Sequence, residues 1–374
     1  MMFAKFFGAP IYDNGAWSTF QDRYLFAADE VVEYSYTKRW SGVGDFSLVL
    51  PYSDALLTLL SINGIITYDG DWLFIQTIQY DNERITLSGK DCKGLLDLRL
   101  TEYGSTSVSG AEGYDVVSGT TAQCVKHYLD ANAISPATSA RSLPLMWDTA
   151  SVSGLASDSY MARLEYLSEV VKKLCDGADI GYDVTGDLSG GVFKFRLLQG
   201  TDRSFSQSVN PRVIFCPAWG NVRRMEFSHS VDELLNVIYA VDTNDHTSVV
   251  YRGENVPSGV QRRECTVNAG VSSTDPATAG YFDKYAIAQA ADNVESHSYT
   301  IEPSVSGYGT DYSLGDIVTV LEPATNNKYN ATITEVTKAY SQGKRDITIT
   351  LGDQKQKPLQ RIVNDLISGT ARRR

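Results

Sequence analysis

The chain has 374 residues, a formal net charge of -12, 43% hydrophobic and 21% charged residues, the makeup of a soluble globular protein too long for one core and expected to divide into two to four domains. The acidic balance excludes a surface that grips nucleic acid, which needs clustered Lys and Arg, and the basic run is confined to Arg372, Arg373 and Arg374. There is no run of eighteen apolar residues and no secretory signal at the start, so no membrane anchor is expected, and the widely spaced Cys92, Cys124, Cys175, Cys216 and Cys265 read as buried thiols without a disulfide or zinc framework.

In chain order, residues 1–100 read as a first β-barrel domain. Strands are expected at 31–36 and 45–50, with a short apolar helix over 55–60. Residues 101–210 change pattern to an α+β domain with two helices. One face of the first carries Thr121, Cys124, Val125, Tyr128 and Leu129; the second carries Leu164, Leu167, Val170, Val171 and Leu174. Glu169 and Lys173 are spaced as a surface pair on that helix, and Gly177 is placed as its left-handed cap. Residues 211–355 return to strands as a second β-barrel domain, with a helix-containing insertion at about 251–301 that starts at the Asp275-Pro276 cap and runs through Val294. Residues 356–374 form a C-terminal helix or tail, with Ile362, Leu366 and Ile367 at helical spacing.

One strand-rich pattern occurs twice. The first copy reads Ser61-Ile62-Asn63-Gly64-Ile65-Ile66-Thr67-Tyr68, then Ile75-Gln76-Thr77-Ile78, then a strand from Arg84 to Asp91. The second reads Ser313-Leu314-Gly315-Asp316-Ile317-Val318-Thr319-Val320, then Ile333-Thr334-Glu335-Val336, then a strand from Arg345 to Asp353. Period-two alternation puts Ile347, Ile349 and Leu351 on one face, and likewise Ile85 and Leu87. Trp72 and Phe74 oppose Leu73 and Ile75, so both faces of that strand are expected to be covered. Turns at 68–71, 80–83 and 340–344 are rich in Asp, Asn, Gly and Ser, which mark reversals.

Residues with catalytic chemistry are sparse. His127, His229, His246 and His297 have no metal-ligand spacing, and there is no nucleophile elbow, phosphate loop or dinucleotide fingerprint. Asp69 and Asp71 flank Gly70 but lack the rest of a calcium loop, so a hairpin turn is the better reading. A pair of distant carboxylates as in glycosidases stays open, as does an aromatic sugar platform at Tyr281, Phe282 and Tyr285. No catalytic, cofactor or metal residue is assigned, and no cofactor is expected.

The segment Tyr36-Thr37-Lys38-Arg39-Trp40-Ser41-Gly42-Val43-Gly44-Asp45-Phe46-Ser47-Leu48-Val49-Leu50-Pro51, followed by Leu-Leu, a Gly-Ile-Ile strand and a later Leu-Gly-Asp-x-Val segment, resembles the tail-tip (baseplate) hub family of long-tailed bacteriophages. It is similar to the N-terminal hub region of siphophage tail-associated proteins. The residues that carry the likeness, Trp40, Gly44, Asp45, Phe46, Leu48, Leu50, Gly315, Asp316 and Gly352, are expected to be structural. The resemblance implies an α+β, mainly β fold: two related β-barrel domains with an α+β domain and a helical insertion between them. It also implies a homotrimeric ring in the virion tail tip, made in the host cytoplasm, that joins a sixfold tail tube to the tip and gates DNA passage. The implied partners are a distal tail ring protein, a tape-measure protein and a tip or fibre protein, with dsDNA sliding through an acidic lumen that does not hold it. Larger relatives append a wall-cutting or receptor-binding region, whereas here about twenty residues follow the second copy, so no enzyme activity is expected. A cell-wall or polysaccharide hydrolase and a carbohydrate-binding adhesin remain the alternatives.

Overall fold

The structure is a computed structural model that describes residues 3–352 apart from 14–15, 103–114, 154, 156, 189, 233, 242–246, 252–256, 269–295, 305–306, 323–327 and 342. The first region holds β1 (Ala4–Phe7), the ribbon β2 (Tyr12–Asp13) and β3 (Ala16–Trp17), β4 (Tyr24–Ala28), β5 (Glu33–Arg39), β6 (Asp45–Pro51), α1 (Asp54–Leu59), β7 (Ile65–Tyr68), β8 (Asp71–Tyr80) and β9 (Arg84–Asp91). The middle holds β10 (Asp115–Thr120), α2 (Thr121–Leu129), β11 (Leu145–Trp147), β12 (Ser157–Ala162), α3 (Leu167–Gly177), β13 (Gly181–Gly186) and β14 (Phe193–Leu198). The last region holds β15 (Ile214–Phe215), β16 (Val222–Ser230), β17 (Val237–Val241), β18 (Thr247–Tyr251), β19 (Glu264–Asn268), β20 (Ser296–Pro303), β21 (Ile317–Leu321), β22 (Lys328–Ser341) and β23 (Lys344–Gly352).

Thirteen strands from the first and last regions form one sheet in the order β16-β20-β23-β22-β5-β6-β9-β8-β7-β1-β4, with β21 on β22 and β15 on β21. The fold is α+β and mainly β, as its alternating segments require. Among the described residues the strand path is open at β4 and β16. Three apolar clusters sit on this sheet. One gathers Phe6, Tyr36, Phe46, Leu48, Leu50, Leu73, Ile75 and Leu87. A second gathers Tyr299, Ile301, Val318, Ile333, Val336, Ile349 and Leu351. The third, around α2 and α3, takes Val125, Tyr128, Val170, Val171, Phe193 and Phe195, and reaches the sheet through Phe7, Ile65 and Phe74. Both faces of β8 are covered: Leu73 and Ile75 belong to the first cluster, while Phe74 and Trp72 join the third. Each such fully buried Leu, Ile or Phe favours the folded state by about 1.5–3 kcal/mol relative to exposure.

Local signals are met at several points. Asp69 and Gly70 both take positive φ, 52° and 82°, the pair that a two-residue type I′ hairpin turn demands. Thr120 and Gln123 close a reciprocal capping box at the start of α2, whose apolar face is buried as its periodicity required. The second helix differs from expectation at both ends. It begins at Leu167, because Leu164 sits in the left-handed region at φ 52° and is exposed. It includes Gly177, and the left-handed residue beyond it is Asp179. Lys173 reaches back to Glu165 at 2.7 Å. Cys92, Cys124, Cys175 and Cys216 are buried free thiols and Cys265 is half-buried. The expected helix through 275–294, the aromatic residues Tyr281, Phe282 and Tyr285, and the tail from 353 onward lie outside the described residues.

Candidate assembly site at the joint of the two copies

The two copies coincide bond for bond. In the first, Asn63 donates its amide to the Ile75 carbonyl, and the Ile75 amide donates back to Gly64. In the second, Gly315 donates to Ile333, and Ile333 donates back to Asp316. The amides of Gly64 and Asp316 each turn to the serine three residues earlier, Ser61 and Ser313. Asn63 and Gly315 both have positive φ. One step on, β8 shifts register against β9 between Ile75 and Thr77, and β22 shifts against β23 between Ile333 and Glu335, so Gln76 and Thr334 are the same extra residue. The two hairpins thus share a turn and a bulge at matched positions.

The copies are joined edge to edge. Residues 335–341 of β22 pair antiparallel with β5, from Glu335 opposite Arg39 to Ser341 opposite Glu33. The Thr37 and Thr337 hydroxyls meet at 2.9 Å across this joint, and Arg39 Nε bonds Glu335 at 3.0 Å.

Beneath it lies a ladder of alternating charges drawn from all three regions of the chain. Lys38 Nζ stands 2.6 Å from Asp183 Oδ2 and 3.9 Å from Asp71; Lys338 Nζ stands 2.6 Å from Asp71 and 3.4 Å from Asp69. Burial works against the charge of Lys38, yet Asp183 and Asp71 outweigh it and hold the ammonium above the ordinary lysine range. Burial also opposes the Asp183 carboxylate, but Lys38 and Lys93 outweigh it and keep its pKa low. Asp71 goes the other way: burial prevails over Lys338 and Lys38 and raises it. Asp91 is likewise raised by burial, although it sits 3.5 Å from the fully buried Lys93 and accepts from Tyr36 at 3.1 Å. These groups fix the joint from below, and pairing makes their burial tolerable.

The residues singled out from the sequence fall around this joint. Trp40 donates its amide to Thr334 and accepts from the amide of Tyr182, so it ties both copies to the middle region. Its indole lies between Gly181 and Gly315, where an added Cβ would come within 2.3 Å and 2.4 Å of the ring. The Gly44 carbonyl accepts from the Asp91 amide, and Asp45 pairs with Arg39 at 2.6 Å and Lys90 at 2.5 Å. Phe46, Leu48 and Leu50 are core. Asp316, 4% exposed, accepts from Thr201 and Ser313 amides and from Arg203 Nε at 2.8 Å, which anchors the second copy to the chain leaving the middle region. Gly352 lies opposite both Ser298 and Thr332. Lys38, Asp183, Lys93 and Lys338 were not singled out from the sequence, and Asp71 was read there only as part of a hairpin turn; the one local signal was Lys93, a lone charge inside the apolar stretch Cys92-Lys93-Gly94-Leu95-Leu96.

The profile of the Siphovirus ReqiPepy6 Gp37-like protein family matches residues 20–254 and 285–353. The fold is similar to that of the prophage MuSo2 43 kDa tail protein from Shewanella oneidensis, at TM-score 0.52 and 13% identity over 95% of this chain and 98% of that one. It is similar to a tail protein from Neisseria meningitidis MC58, at TM-score 0.53 and 13% identity over 98% and 99%. A Francisella PdpA-VgrG complex contains a chain matched at TM-score 0.52 and 11% identity, over 95% of this chain and 53% of that one. No curated protein sequence matches.

Proposed function

Because this chain belongs to the Siphovirus ReqiPepy6 Gp37-like protein family, we propose that it is a structural protein of a phage tail, a hub whose three copies close into a ring between a sixfold tail tube and the tip. The observation that carries the reading is the duplication: a chain with two equivalent sheet units, fused edge to edge through β5 and β22, supplies six such units to a threefold ring. A trimer can then meet a sixfold tube without a mismatch of symmetry. The two units are read as the barrel-like walls of that ring. The net charge of -12 suits a lumen through which dsDNA slides, since like charge keeps phosphate from sticking. In this reading the chain contacts a distal tail ring protein, a tape-measure protein and a tip or fibre protein, is part of the virion tail tip, and gates DNA passage. It carries no catalytic step, for the carboxylates gathered at the joint are engaged with Lys38, Lys93 and Lys338.

The test is stoichiometry. Light scattering on the purified chain should find a species near three times the 41.1 kDa chain mass, and quantitative mass spectrometry of purified particles should count three copies per tail. A single chain in solution together with any other count per tail overturns the ring.

A further inference from the structure

The bond-for-bond match of the copies assigns counterparts strand by strand. β8 corresponds to β22, with Thr77 matching Glu335 and Gln79 matching Thr337. Through the ladders of β6 on β9 and β20 on β23, Asp45 matches Ser298 and Leu48 matches Ile301; β5 therefore corresponds to β16, with Tyr36 matching Phe227, Thr37 matching Ser228 and Arg39 matching Ser230. The inner joint uses the β5 edge of copy one and the β22 edge of copy two. Its counterparts are the outer edge of β16 in copy two and the 77–80 edge of β8 in copy one, and among the described residues no strand lies on either.

The 77–80 edge of β8 has the makeup of a contact surface, and the charges of β16 lie before the Phe227–Ser230 stretch that corresponds to the inner joint. Residues 76–80 read Gln-Thr-Ile-Gln-Tyr, with no charge and no proline to block strand addition, although an exposed edge of this kind normally carries such protection. Positions covered at the inner joint are uncovered here: Val336 is 0% exposed while its counterpart Ile78 is half-buried, and Tyr36 is 2% exposed while its counterpart Phe227 is 47% exposed. Tyr80 is 61% exposed.

We propose that β16 of one chain adds antiparallel to residues 77–80 of β8 in a second copy of the chain, repeating the inner joint between chains. The register follows from the match. Thr77 lies opposite Ser230 of the neighbour, Ile78 opposite His229, Gln79 opposite Ser228 and Tyr80 opposite Phe227. Gln79 and Ser228 then take the place of the Thr37 and Thr337 hydroxyl pair. One such contact leaves a free edge at each end of the dimer, so addition continues head to tail until the ring closes. The contact rests on the ring reading for its count of three and on the inner joint for its register.

The experiment uses the full chain with Gln79→Cys and Ser228→Cys together, oxidised mildly and resolved without reductant, alongside both single variants and the misregistered pair Gln79→Cys/Arg224→Cys. The expected result is a covalent ladder of one, two and three chains that stops at three and collapses with reductant, at least ten-fold above the single variants and the misregistered pair. Both sites are on exposed edges, and light scattering of each variant reports its assembly independently of the disulfide. A trimeric mass without cross-links above the controls overturns the edge contact and leaves the ring. Register-specific ladders that run past three uphold the contact and overturn the ring of three. A single chain with no cross-link overturns both.

Discussion

Copies one and two share a corner and the ladders that run on from it, and differ in the strands and loops added around them. The corner is a left-handed residue, two reciprocal amide bonds and a bulge one residue later, at Asn63, Gly64, Ile75 and Gln76 in one copy and at Gly315, Asp316, Ile333 and Thr334 in the other. Outside it, β7 takes β1 as an antiparallel neighbour, whereas β21 takes the two-residue β15 in parallel. A short turn links β5 to β6, while the corresponding β16 and β20 are separated by more than sixty residues that include β17, β18 and β19. The difference teaches which part the ring reading needs. A bulge bends a strand and sets its twist, so in the proposed ring the shared bulge geometry would keep six edges at the same inclination, and loops and outer strands would be free to diversify.

The largest expected effect comes from breaking the pin between the copies. Trp40→Ala removes an indole that packs against Gly181 and Gly315 and should cost about 3–5 kcal/mol, read as a lowered urea midpoint at unchanged slope. A loss below about 1 kcal/mol would mean that the copies are held by the strand joint alone. Lys38→Met is next. It leaves Asp183 inside the protein without the nearest of its cations, and stability should fall by about 3 kcal/mol or more. Adding Asp183→Leu should restore most of it; no recovery would show that the ladder contributes beyond cancelling its own charge.

Gly315→Ala against Asn63→Ala sharpens the comparison directly. At Gly315, φ is 90° and the new methyl meets the Trp40 ring, so about 2–3 kcal/mol should be lost. At Asn63, φ is 65°, a region asparagine tolerates and alanine disfavours, and the loss should stay near 1 kcal/mol. Equal losses would mean that the Trp40 contact relaxes without cost.

Alkaline titration tests the ladder by sign. Lys38 and Lys338 have folded-state pKa values above the ordinary lysine value of 10.5, so their contribution is fully present below that pH and disappears as pH rises through the raised values. Toward acid the ladder opposes itself: the stability from Asp183, whose pKa is lowered, is lost as pH falls, while protonation of Asp71, whose pKa is raised, relieves a cost. The Lys38→Met/Asp183→Leu protein should therefore lose less stability than the parent above pH 10.5 and differ little from it between pH 5 and 9. Parallel curves above 10.5 would remove Lys38 from the alkaline transition.

What the sequence disclosed of this arrangement was local. The paired Ser-x-x-x-Ile corners, the alternation of Ile347, Ile349 and Leu351, and the apolar face of α2 are each written within a dozen residues, and the structure has them. The joint was illegible because Glu335 meets Arg39 across most of the chain, and pairing of that range leaves no periodic trace. The ladder was illegible for a related reason: Lys38 and Asp183 each occupy an ordinary position in an alternating strand, and only the packing of the middle region against the sheet turns them inward. Leu164 misled because helical spacing continued past the point where its backbone turns left-handed.

The smallest effect compares the inner joint with its open counterpart. Thr37→Val leaves the Thr337 hydroxyl without its 2.9 Å partner in a part-buried strand pair, and the folded chain should lose about 1 kcal/mol. Gln79→Val, at the corresponding outer position, removes nothing that this chain bonds to itself. Monomer stability should be unchanged within about 0.5 kcal/mol. In the proposed ring the same substitution faces Ser228 of the next chain, so the concentration at which trimers form should rise severalfold. If Gln79→Val shifts the unfolding midpoint of the isolated chain while leaving its assembly untouched, the two edges are not equivalents, and the resemblance between copies ends at their corners.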